Sequence, residues 1–223
     1  MNFMHFLKSL DDLLFEIATW LVFYPVTLWR TLRQPWAMMK YADVELHDSQ
    51  DQQYTDTLSP PIFLLLTLLL SHALELALVG QNPLVESKKG LASLITDDTS
   101  LLLLRMVFFS VFPLVMSVRL LRKRQVKVTR QTLRPPFYAQ CYPTAVFALA
   151  LGIGLLLAQL HRGDAVTIAG WLIAFASLLW FGGLQVGWFH RMLKCSWPYA
   201  FWTASVGMVE CVLVFAVVAP LVA

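Results

Sequence analysis

Apolar residues in this chain collect into runs of about 20, the length at which a helix crosses a hydrocarbon layer about 30 Å thick. No other feature limits the fold so strongly. The composition agrees: of 223 residues, 58% are hydrophobic and 14% charged, against roughly a quarter charged in a soluble domain. Such a chain is not a soluble enzyme, a secreted disulfide scaffold or a disordered tail. A net charge of +3 is too small to point to nucleic acid. The expected fold is an all-α integral membrane protein.

Five segments read as spans: 62–79, 101–121, 144–160, 165–187 and 199–222. Pro60-Pro61, Pro143 and Pro198 open three of them, where a missing N–H costs nothing. The chain thus divides into an amphipathic N-terminal region (1–40), an acidic linker (41–61) and a five-helix bundle (62–223). The start MNFMHFLKSLDD sets two aspartates where a cleavable signal needs an unbroken apolar core.

Lys and Arg set the orientation. Arg119, Arg122, Lys123, Arg124, Lys127, Arg130 and Arg134 surround the second loop, Arg191 and Lys194 the fourth, and Lys8, Arg30, Arg33 and Lys40 the N-terminal region. Those regions share one side of a five-span chain and hold 13 of its 17 basic residues. The opposite loops hold Lys88, Lys89 and Arg162. The expected topology is N-terminus cytoplasmic and C-terminus exoplasmic, and the short loops suit a bacterial inner membrane.

Before the first span, Phe3, Phe6, Leu10, Leu13, Ile17, Trp20 and Tyr24 recur at helical spacing, with Lys8, Asp11, Asp12 and Glu16 opposite. Such a helix packs on the bundle, lies in the interface plane or, over Leu13 to Trp29, forms a further span; Pro25 is expected to end or kink it. The strip that follows carries Asp43, Glu45, Asp48, Asp51 and Asp56 with no Lys or Arg from Tyr41 to Thr57. It is either a solvated linker or a partner for the basic loop from Arg122 to Arg134, in cis or from a neighbouring subunit.

Ionisable groups inside spans are costly and mark candidate sites. Glu75 and Arg105 fall about 6 Å inside the same edge on consecutive antiparallel spans, which suggests an ion pair. His72 shares the helical face of Glu75. Glu210 lies midway along the last span, so it is protonated or faces a partner or water; Ser205, Gly207 and Cys211 nearby offer a small-residue seam. Ala148, Ala150, Gly152 and Gly154, and Gly183 with Gly187, read as packing seams.

No GxSxG, HExxH, P-loop, GxGxxG or CxxC is present, and Cys141, Cys195 and Cys211 form no metal-ligand cluster, so neither catalysis nor a cofactor or metal is expected. His161, Arg162 and Asp164 crowd one short turn, and His190 and Cys195 share a loop.

The stretch Leu28 to Met39, LWRTLRQPWAMM, followed by Ser59-Pro60-Pro61 and five closely spaced spans, resembles the Ypt-interacting-protein (Yip) domain family. That resemblance implies a cytoplasmic N-terminal region ahead of a five-helix bundle. Eukaryotic members are implicated in membrane trafficking with small GTPases.

Two functions stay open at this level. One is a non-enzymatic accessory or scaffold subunit of a transport, envelope or signalling complex, with the bilayer and other membrane subunits as partners. The other is a homo-oligomeric channel or carrier that uses Glu210 and the His72, Glu75 and Arg105 cluster.

Overall fold

The computed structural model describes residues 3–49, 52–79, 98–160 and 163–222; for 3–10, 12, 98–101, 215 and 218–222 the backbone alone is described. All regular structure among them is helical: α1 (Phe3–Arg33), α2 (Pro35–Glu45), α3 (Pro60–Val79), α4 (Asp98–Lys123), α5 (Arg130–Gln159), α6 (Asp164–Leu193) and α7 (Trp197–Val222).

Four helical stretches are long and apolar enough to cross a membrane: Pro60–Val79, Leu102–Lys123, Arg130–Gln159 and Asp164–Leu193. The chain is therefore a multi-pass membrane protein, with four such helices and not five among the described residues. The fifth expected span corresponds to α7, 26 residues long. Residues 215 and 218–222 of α7 are described by backbone alone, and α7 is not among the four.

Two boundaries also differ from the sequence expectation. The helix expected from 144 begins at Arg130 and runs unbroken through Pro135, Pro136 and Pro143. Thr129 caps it, its hydroxyl accepting from the Thr132 N–H at 3.2 Å, while burial of every residue from 139 to 148 holds the helix across Pro143. Likewise α1 continues past Pro25 to Arg33.

α5 is the hub, in contact with α2, α3, α4 and α6, while α7 packs on α4 and α6. Four rings knit α4, α5 and α6 together: Phe147 and Phe181 stack at 4.6 Å between centroids, and Phe112 meets them edge-on at 5.6 and 5.8 Å. Phe109 joins from one turn earlier, 6.1 Å from Phe147. α5 and α6 come closest at Gly154 and Gly170, where a Cβ on Gly154 would stand 2.6 Å from the Ala174 nitrogen and 2.9 Å from the Gly170 carbonyl. Backbone meets backbone there, the small-residue contact that lipid-embedded helices favour.

Below that crossing the same helices are joined by a reciprocal amide pair. Gln140 Nε2 donates to Gln185 Oε1 at 2.9 Å, and Gln185 Nε2 donates back to Gln140 Oε1 at 2.7 Å. Both side chains are fully buried. In a membrane interior such a pair satisfies two groups that lipid cannot.

Candidate functional site

The polar groups gather into three sets: two ion pairs between helices and a network at the basic end of the bundle.

In the first pair Arg105 Nη2 of α4 donates to Glu75 Oε2 of α3. Their side chains are 24% and 11% exposed, so the pair is largely withdrawn into the bundle. His72, one turn before Glu75, is buried, and its Nδ1 has no hydrogen-bond partner. The consecutive-helix argument from equal depth led to these two residues.

The second pair was not legible. Glu210 of α7 accepts from Arg119 Nη1 of α4 at 2.6 Å. Arg119 is 12% exposed, and its Nε is buried without a partner. Gly207 makes room for it: a Cβ there would stand 2.9 Å from Met116 Sδ and 3.2 Å from Arg119 Cδ. The small-residue seam beside Glu210 thus seats the arginine that neutralises it. The available signal was Arg119 itself, four residues short of the end of α4 and still within the apolar run. Grouping it with the loop cations hid its role.

The third set ties the N-terminal helices to the bundle. Thr27 Oγ1 accepts from the Leu58 N–H at 3.0 Å, and the Leu58 carbonyl accepts from Tyr142 Oη of α5 at 2.8 Å. Next to it, Asp56 Oδ2 accepts from Arg30 Nη1 and Oδ1 from Tyr41 Oη, both at 2.6 Å. Arg30, and then Tyr41, hold the Asp56 carboxyl below the ordinary carboxylate value. Burial and the bond to Asp56 push the Tyr41 phenol up, and burial does the same to Tyr54. Glu45 accepts from the Tyr54 N–H, and Tyr54 takes the left-handed backbone at φ 56°. Higher up, Tyr24 donates to Thr67 at 3.1 Å. Tyr24 thus meets α3 itself, and Thr27 meets the chain just before it.

The acidic strip is therefore folded back on the N-terminal helices. Among the described residues no ion pair joins it to the basic loop. Asp43 and Asp48 are exposed, and Asp51 lies outside the described residues. The basic residues take other partners. Arg124 donates from Nη2 and Nε to the Met192 carbonyl at 2.7 and 3.2 Å. Lys123 lies 5.3 Å over Tyr199, Arg134 5.1 Å over Tyr138, and Arg191 4.0 Å over Trp36. Arg122, Lys127 and Arg130 are exposed. The second and fourth loops and the α1–α2 region thus share one end of the bundle.

Of the expected packing glycines, Gly152 faces Ser71, Gly154 faces α6 and Gly187 faces Trp36. Gly183 faces nothing within 4 Å and is exposed, so it forms no seam within the chain; Gly170 does so instead. His190 Nδ1 lies 2.6 Å from the Cys195 carbonyl, and its ring stacks on Trp197 at 4.2 Å. His161 and Arg162 lie outside the described residues, as do Lys88 and Lys89. No group of three metal-ligating side chains occurs among the described residues.

α1 presents a different kind of feature. Its packed face, Trp20, Tyr24, Thr27 and Thr31, falls in the second half. Ahead of it, Leu13, Leu14, Phe15 and Ile17 are between 42% and 71% exposed.

No family model, curated protein or solved structure matches this chain.

Proposed function

We propose that this protein is a non-catalytic membrane subunit that works by assembling with other membrane components, as accessory or scaffold in a transport, envelope or signalling complex. The observation that carries the reading is the use made of its charges and its first helix. Both intramembrane carboxylates are engaged by arginines that tie neighbouring helices together. Meanwhile α1 holds Leu13, Leu14, Phe15 and Ile17 outward, and among its described side chains those that pack on the bundle lie in its second half. A charge already paired is a poor carrier of ions, and an apolar helix face with no intramolecular partner is a surface for lipid or for another chain. In this proposal the basic end faces the cytoplasm of a bacterial inner membrane, as the positive-inside rule requires.

The test compares the wild-type protein with a Leu14→Asp/Phe15→Asp variant, each tagged and purified in mild detergent. The reading expects a partner subunit at fixed stoichiometry with the wild type and its loss from the variant. Equal recovery from both refutes the part assigned to α1.

One observation favours the channel or carrier alternative: the unpartnered Nδ1 of His72 beside the Glu75–Arg105 pair. Proteoliposome flux that disappears on His72→Phe while the variant stays as folded as wild type would establish that alternative in place of the assembly reading.

A further inference from the structure

At the basic end, α2, α4, α5 and α6 leave a crevice of about 300 Å³ between them. Its walls are mostly apolar, with Leu120 and Pro136 among them, and three charged side chains stand in its lining: Lys40, Asp43 and Arg124. Lys40 and Asp43 are exposed and one helical turn apart, yet they form no ion pair with each other. Trp188 forms part of its wall and is 2% exposed.

Position narrows the occupant. Leu120 is three residues from the end of α4 and Trp188 five from the end of α6, so the crevice opens where the apolar helices give way to the charged end. The molecule found at that level of a bilayer is a phospholipid. The lining selects among headgroups. A phosphate matches Lys40 and the N–H groups of Arg124 that the Met192 carbonyl leaves free. Asp43 would repel a headgroup that carries only negative charge, and it asks for a cation with N–H bonds to give. A quaternary ammonium has none, and the crevice lacks an aromatic cage to hold one.

We infer that this crevice binds one zwitterionic glycerophospholipid with a primary ammonium group, its phosphate on Lys40 and Arg124 and its ammonium on Asp43. The inference rests on the multi-pass membrane character of the chain and not on the assembly proposed above, so either can fail alone.

Native mass spectrometry of the full-length protein, delipidated and then supplied with lipids of identical acyl chains, tests it. Phosphatidylethanolamine is expected to be retained about tenfold better than phosphatidylcholine or phosphatidylglycerol, with stepwise loss on N-methylation of the headgroup. That series uses only the wild-type protein. Asp43→Asn should remove the preference, and Lys40→Gln should weaken all three lipids; both positions are exposed, so melting curves should match the wild type. Equal retention of the three lipids overturns the inference, as does a preference for phosphatidylglycerol or one that survives Asp43→Asn.

Discussion

Replacing Glu210 with Gln removes the carboxylate and leaves Arg119 inside the bundle. Glu210 is 42% exposed among apolar neighbours, Val209, Leu213 and Val217, that are 57%, 60% and 67% exposed. A guanidinium does not lose its proton. It must stay charged at 12% exposure, about 6 Å inside the end of α4, with its Nε already unpartnered. An uncompensated arginine in a span costs about 2.5–3.5 kcal/mol on insertion scales, and breaking a buried pair about 3–5. We expect Glu210→Gln to lose about 3 kcal/mol, roughly a hundredfold in the folding equilibrium. Arg119→Gln should cost less, about 1–2 kcal/mol, because Glu210 is 42% exposed against 12% for Arg119. The double variant should lie within about 1 kcal/mol of wild type. Reversible unfolding in mixed micelles, followed by tryptophan fluorescence, supplies the cycle. A Glu210→Gln protein as stable as wild type, or a double variant no better than Glu210→Gln, refutes the clamp.

Other predictions follow from the same contacts. Gln140→Leu alone should cost about 1–3 kcal/mol by orphaning Gln185, whereas Gln140→Leu/Gln185→Leu should recover most of it; the same unfolding assay reads both. Gly170→Ala forces a methyl to within 2.6 Å of the Gly154 carbonyl and should destabilise by about 1–3 kcal/mol, while Gly183→Ala, with nothing within 4 Å, should be neutral or slightly stabilising. Thr27→Val should loosen the N-terminal helices, measured as faster proteolysis of the 46–59 segment with the spans intact. Asp56, held low by Arg30, contributes stability that is present above the ordinary carboxylate value and is lost as pH falls through its own lower one. Acidification should therefore release the same segment in the wild type, and Asp56→Asn should show that release already at neutral pH.

Much of the helical plan was legible because membrane helices announce themselves by length and apolarity. The expected 62–79 and 101–121 fall within a few residues of the ends of α3 and the spanning part of α4, and 165–187 lies inside α6. The errors have local causes. Pro143 read as a start, but Tyr142, Pro143 and Thr144 are buried among neighbours that hold the helix through it. Glu210 was visible as a lone acid; its partner was not, since pairing across α4 and α7 depends on Gly207 lying under the Arg119 side chain. Gln140 and Gln185 left no trace because a glutamine in an apolar run shows no sign of which helix answers it. Within the chain, the charge attraction expected of the acidic strip forms no ion pair with the basic loop among the described residues. Arg30 and Tyr41 are closer to Asp56 than any cation of the loop, and long-range attraction through solvent is weak against a direct bond. The Yip resemblance rests on the layout and lead-in alone.

The central claim is that this chain works as part of a larger assembly. Its most direct test is the intact mass of the complex extracted from native membranes in mild detergent. The account predicts a defined mass above the 25.3 kDa of one chain, containing a foreign subunit at fixed stoichiometry. A single 25.3 kDa species, or a mass made only of copies of this chain, would contradict it.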